Sequence, residues 1–158
     1  MTIRYGIIGT GMMGCEHIRN LAAMEGVDIT AIADPNEKPR DWGRSACGDR
    51  FAPEVYEDYR DLLARDDVDA VVVASPNYSH IDVMRDIFQT DKHVMLEKPM
   101  CTTITDSKEL VKSADQHPGI VWIGLEYRYM SPITATLQHL DAIGNIRMCA
   151  IREHRFPF

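Results

Sequence analysis

At 158 residues, with 45% hydrophobic and 26% charged side chains, the chain suits one soluble globular domain burying about 70% of its unfolded surface, and is short for two. A net charge of −7, from 24 acidic residues against 17 Lys and Arg with no basic tract, would repel a polyphosphate backbone and argues against nucleic acid as a partner. No run approaches the ~18 apolar residues of a membrane span. Arg4, inside a first apolar run too short for a signal peptide, predicts a cytoplasmic protein with no membrane partner.

Ile3 to Ile8 reads as a buried strand running into Gly9-Thr10-Gly11-Met12-Met13-Gly14. A G-x-G-x-x-G run is a weak pattern alone, and its context decides. A helical pattern follows in which Met13, Ile18, Leu21 and Ala22 share a face, so the helix begins inside the glycine run. The next apolar run, Ile29 to Ala33, ends in Asp34, 20 residues (34 − 14) beyond the last glycine. A dinucleotide-binding βαβ unit places its ribose-binding acid there.

Each residue type has a physical task in that unit. Gly9 would allow the tight turn, Gly11 would let a pyrophosphate approach the backbone, and Gly14 would let the helix pack close to the strand. The helix N-terminus favours an anion by roughly 0.3 to 1 kcal/mol. A carboxylate at Asp34 would repel a 2′-phosphate by up to ~4 kcal/mol at about 4 Å and an effective dielectric of 20. A third of that exceeds a factor of about five, so NAD is expected over NADP, a preference that Lys38 and Arg40 nearby would soften.

Asp34-Pro35-Asn36 is a turn, and residues 37–48 read as a helical stretch broken by Pro39 and Gly43. Residues 53–56 make a short third strand, Tyr59, Leu62 and Leu63 a short amphipathic helix, and Asp69 to Ala74 a fourth, central strand. Ser75-Pro76-Asn77-Tyr78-Ser79-His80 breaks it before a helix with Ile81, Met84, Ile87 and Phe88 on one face. A fifth strand, His93 to Leu96, runs into Glu97-Lys98-Pro99. Thr103 with Asp106 starts a helix carrying Leu110, Val111 and Ala114, and residues 120–125 make a sixth strand.

This alternation predicts an α/β fold, a doubly wound parallel sheet with helices on both faces. Its ligands would bind beyond the carboxyl ends of the strands. After residue 125 the character changes. Ser131 as N-cap, Pro132 at the first helical position and Gly144 as a stop frame a helix with Ile133, Leu137 and Leu140 on its apolar face. A strand over residues 146–156, with only two residues after it, predicts a truncated second α+β domain, dividing the chain into 1–125 and 126–158. Its open edge predicts a homo-oligomer formed through that strand.

Cys15, Cys47, Cys101 and Cys149 are separated by 32, 54 and 48 residues, which fits no zinc or redox spacing and predicts free thiols in a reducing compartment. The six histidines are equally scattered, so no metal site is expected.

The glycine run, Ala33-Asp34-Pro35, Ser75-Pro76-Asn77-Tyr78-Ser79-His80, Glu97-Lys98-Pro99 and Tyr127-Arg128-Tyr129 together resemble the Gfo/Idh/MocA oxidoreductases, the group of glucose-fructose oxidoreductase and inositol dehydrogenase. The match runs over the whole chain, and Glu-Lys-Pro arriving after the Pro-Asn-x-x-His loop is its specific part. The resemblance implies NAD-dependent hydride transfer to or from a secondary hydroxyl of a sugar, cyclitol or related polyol. Lys98 would be the catalytic lysine, and Glu97 would help to fix the nicotinamide end. Pro99 would set the turn, a place where a cis peptide is cheap.

Ser75, Pro76, Asn77 and His80 would line the cofactor near its ribose and nicotinamide, Gly9, Gly11, Met12, Met13, Gly14, Asp34 and Pro35 would hold the rest, and Arg128 would approach from the crossover. The family's second domain usually adds an aspartate and a histidine for proton transfer, which this chain does not match, so binding without turnover is expected of it. The same fold can also serve as a non-catalytic dinucleotide-binding sensor or regulatory module. An intact Lys98 favours the enzyme.

Overall fold

A computed structural model describes residues 2–150 and 152. The chain divides into two compact units, residues 1–124 and 125–158. The first holds six parallel strands in the order β3-β2-β1-β4-β5-β6, namely β1 (Ile3–Ile8), β2 (Val27–Ala33), β3 (Glu54–Tyr56), β4 (Ala70–Val73), β5 (His93–Leu96) and β6 (Val121–Ile123). Strand order therefore reverses between β1 and β4. Helices α1 (Met12–Ala22), α2 (Glu37–Cys47), α3 (Tyr59–Leu63), α4 (His80–Ile87) and α5 (Ile104–Ala114) connect the strands.

Side-chain alternation along the strands builds two cores, one on each face of the sheet. Val71 and Val73 of β4 join Leu62, Val83, Met84, Ile87 and Leu110, whereas Val72 joins Ile18, Leu21, Ile32, Cys47 and Phe51. All four residues of β4 are buried, the signature of a parallel strand covered on both sides. The cap expected at Thr103 is present, its hydroxyl accepting the Asp106 N–H at 3.1 Å.

Two expectations fail in instructive ways. Residues 37–47 are one continuous helix, because Pro39 lies in its first turn, where N–H groups have no partner within the helix. Gly43 is a packing residue there, since a Cβ would sit 2.8 Å from Thr10 Cγ2 and 2.9 Å from Ile32 Cδ1. Met13, placed on the apolar face of α1, is instead 39% exposed. Gly14, Cys15, Ile18 and Leu21 are the buried residues.

Arg4 opens β1 by binding Asp69 with two guanidinium nitrogens, at 2.6 and 3.0 Å, while its backbone N–H donates to the same carboxylate at 2.9 Å. The Arg4 hydrogen bond holds the Asp69 carboxyl down at about 2. A carboxyl depressed on folding stabilises the protein above its ordinary range near ~4, and that contribution is lost as pH falls toward its folded value. Thermal melting should therefore fall between about pH 4 and about pH 2, and Asp69→Asn should flatten that fall. Equal slopes for variant and parent would refute the assignment.

The second unit contains a 3-10 turn (Glu126–Tyr129) and helices α6 (Ser131–Gln138) and α7 (Leu140–Ile143). The cap lies one residue earlier than expected, at Met130, and Gly144 stops α7 with φ +70°. Ile133, Leu137 and Leu140 remain exposed. The strand expected over 146–156 is not formed at 146–150, which pair with no ladder among the described residues. Residues 151 and 153–156 lie outside them. A strand exists only through its hydrogen-bonded neighbour, which periodicity does not supply.

Candidate cofactor and active site

A cleft of about 530 Å³ opens at the carboxyl ends of β1, β2 and β4, at the reversal of strand order. Parallel sheets bind ligands at this point. The glycine run forms its floor. Gly9 adopts φ +88°, and a Cβ there would meet the Ala74 carbonyl group and Ser75 N at 2.7 Å, so the chain leaving strand β4 passes too close for any other residue. At Gly14 a Cβ would lie 2.0 Å from the Gly9 carbonyl oxygen, which presses α1 against the turn.

Gly11 is different. A Cβ there would meet nothing within 4 Å, and Gly11 borders the cleft, so space is left beside the first turn of α1 for a group that approaches the backbone. Met12 and Met13 form one wall, which explains why Met13 leaves the core.

Asp34 closes the opposite end. It is buried, its Oδ2 accepts the Thr10 N–H and its Oδ1 accepts the Asn36 N–H, both at 3.0 Å. The Asn36 side-chain amide adds a longer contact of 3.4 Å to Oδ1. A carboxylate has about four lone-pair sites, so acceptor capacity remains for a ribose hydroxyl. Both neighbouring cations are engaged. Arg40 donates to the Asp34 carbonyl oxygen at 2.8 Å, and the Lys38 ammonium lies 5.3 Å from the centre of the Trp42 ring.

Of the other expected cofactor residues, Pro35, Ser75 and Pro76 line this cleft, and Asn77 is exposed on the turn beyond Pro76. His80 does not line it. The ring is fully buried, with Nδ1 2.9 Å from the Pro99 carbonyl oxygen and Nε2 3.0 Å from the Ser75 carbonyl oxygen. It ties the loop after β4 to the turn after β5. Sequence reasoning also missed Asn36, Pro39, Glu57, Tyr59, Tyr78 and Ser79 as cleft residues. Glu57 and Tyr59 follow the three-residue strand β3, at the same carboxyl edge, so a rule that every loop there faces the cleft would have found them.

Lys98 is exposed on the turn beyond β5, and its peptide bond to Pro99 is cis, as the turn admits. Glu97 is buried. Its Oε2 accepts the Lys98 N–H at 3.1 Å, and its Oε1 stands 2.7 Å from Nε2 of His17 on α1. Arg128 belongs to the second unit, on the 3-10 turn.

The four cysteines are free. Burial pushes the Cys47 thiol up to about 11 and raises Cys15, so neither is a nucleophile at neutral pH. Among the described residues no group of three or more His, Cys, Asp or Glu could hold a metal ion, and no helix is long and apolar enough to cross a membrane.

Residues 3–125 match the family model described as oxidoreductase family, NAD-binding Rossmann fold. The chain belongs to the Gfo/Idh/MocA family. It is 36% identical over 135 residues to an inositol 2-dehydrogenase of Salmonella typhimurium, covering 82% of this chain and 38% of that one. Its fold is similar to myo-inositol dehydrogenase of Lactobacillus casei, solved with NAD(H) and myo-inositol. That match has a TM-score of 0.80 and 31% identity over 90% of this chain and 42% of that one. A 3-ketoreductase from Actinomadura kijaniata, solved with NADP, superposes with a TM-score of 0.77 and 28% identity, covering 90% of this chain and 44% of that one. The chain thus spans about two fifths of the length of these relatives. The first unit of this Gfo/Idh/MocA chain is its NAD-binding domain, and the glycine run, the open space at Gly11 and the Asp34 carboxylate fit that cofactor.

Proposed function

We propose that this chain is the cofactor-binding part of an NAD-dependent dehydrogenase that oxidises a secondary hydroxyl of a sugar, cyclitol or related polyol. The observation that carries this reading is the cleft at the reversal of strand order, lined by Gly9, Gly11 and the buried Asp34 carboxylate, with Lys98 outside that lining on the turn after β5. When bound, NAD supplies the hydride acceptor. Asp34 accepts from the adenosine ribose, and the N–H groups that open α1 receive the pyrophosphate.

Lys98 is the proposed catalytic residue. Its side chain would donate to the substrate oxygen and stabilise the alkoxide left when a base from the rest of the enzyme takes the hydroxyl proton, a charge that is consumed as hydride leaves the adjoining carbon and the carbonyl forms. Orientation of that oxygen is the task proposed for it, because Lys98 stands on the exposed turn beyond β5, whose backbone Glu97 holds. Inositol dehydrogenases among the relatives support a polyol as the substrate class. Because those relatives are more than twice as long, this chain alone is expected to bind dinucleotide without steady turnover of a polyol.

Calorimetric titration of the chain with NADH and, separately, NADPH tests the reading. The Asp34 charge predicts NADH binding tighter by about fivefold or more. Equal or tighter NADPH binding would remove the role given to Asp34, and binding of neither would overturn the cofactor assignment.

A further inference from the structure

His17 belongs to neither the cleft wall nor the turn of Lys98, yet it touches Glu97, the residue that precedes Lys98 and binds its N–H. It lies on α1, the helix that begins directly behind Gly11, and its Nε2 is 2.7 Å from Glu97 Oε1, across 80 residues of sequence. Both side chains are largely shielded, at 16% and 10% exposure. The second Glu97 oxygen accepts the Lys98 N–H, and the backbone at Gly124 closes the same side, where a Cβ would come within 3.5 Å of Oε1. Both oxygens of this carboxylate are therefore engaged by the protein itself.

With one oxygen on His17 and the other on the Lys98 N–H, this carboxylate acts as a strut between α1 and the turn. Its backbone N–H extends the sheet by donating to the Val73 carbonyl oxygen at 2.9 Å, so the strut starts from a fixed point. One end of it meets the helix that receives the pyrophosphate, and the other meets the turn that presents Lys98. Misplacing reacting groups by about 1 Å can cost roughly a hundredfold in rate, so the registry between these two elements matters.

We propose that His17 is a positioning residue that, through Glu97, fixes the Lys98 turn relative to the pyrophosphate-binding helix and so governs the nicotinamide half of the cofactor. The inference rests on the dinucleotide reading given above. It separates the two halves of the cofactor, because ADP-ribose engages the glycine run and Asp34 and lacks the nicotinamide.

The test is calorimetric titration of the chain and of His17→Asn and His17→Gln with NADH and with ADP-ribose. An Asn amide falls short of Glu97, whereas a Gln amide reaches the place of Nε2 and can donate. His17→Asn should weaken NADH about tenfold and leave ADP-ribose within about twofold, and His17→Gln should restore most of the NADH affinity. Parallel loss of both ligands, or no change in either, would overturn the proposal. Should His17→Asn fail to fold, Glu97→Gln removes the charge that His17 faces, and the same split between ligands is required of it. If the parent chain binds neither NADH nor ADP-ribose, the cofactor reading itself fails, an outcome distinct from parallel loss in the variant.

Discussion

Gly14→Ala should lower the thermal midpoint by roughly 10 °C or prevent folding altogether. The added methyl would stand 2.0 Å from the Gly9 carbonyl oxygen and 3.7 Å from Ile7 Cγ2. Nothing at the first contact is a flexible side chain that can swing away. The neighbour is backbone, and it is held in place because Gly9 donates its own N–H to the Ala33 carbonyl oxygen at 2.8 Å.

Relief would require α1 to lift from the sheet, exposing Ile18 and Leu21, which fill the core on that face. Overpacking of this kind costs about 1 to 3 kcal/mol and occasionally more. At about 3 to 5 °C per kcal/mol for a domain of this size, the upper end gives the stated shift. Differential scanning calorimetry of parent and variant checks it. A shift under about 2 °C would mean that the helix has room the geometry denies.

The sheet was legible because its evidence is local. β1, α1, β2 and Asp34 follow from apolar runs, a glycine turn and one spacing. β4 and β5 announce themselves as short β-branched or apolar runs. What escaped was long-range. α2 looked broken because Pro39 and Gly43 are breakers in isolation, but one sits where the helix has no bond to lose and the other where neighbours leave no space.

The two histidines carried a signal that went unused. His17 shares the i, i+3, i+4, i+7 stripe of Gly14, Ile18 and Leu21, and His80 shares that of Val83, Met84 and Ile87. A titratable group on a buried stripe must find a polar partner, since an unsatisfied one costs about 1 to 3 kcal/mol. Periodicity therefore flags both residues as shielded and bonded, His80 fully buried and His17 partly. The identity of the partners, Glu97 for one and the Ser75 and Pro99 carbonyls for the other, depends on how β4 and β5 are brought beside α1, which no spacing states.

Gly11→Ala should have the opposite profile to Gly14→Ala, leaving the fold intact and weakening NADH at least about tenfold. Gly11 has φ −67°, which any residue adopts, and a Cβ on it meets nothing within 4 Å. Replacing glycine at a permitted conformation stabilises by about 0.4 to 1 kcal/mol through the unfolded chain, so the melting temperature should hold or rise by a few degrees at most. The same methyl projects beside the first turn of α1, where the free N–H groups would receive the pyrophosphate. A ligand forced away from those donors loses charge-assisted hydrogen bonds worth about 1.5 to 3 kcal/mol each, against about 1.4 kcal/mol for a factor of ten. Calorimetric titration and thermal melting of the one variant separate the two effects. Undiminished NADH affinity would show that the pyrophosphate does not lie against Gly11, and a large fall in melting temperature would show that the space beside it is filled in the folded protein. Two alanines three residues apart on one turn would thus act on different properties, because one glycine makes room within the protein and the other makes room for its ligand.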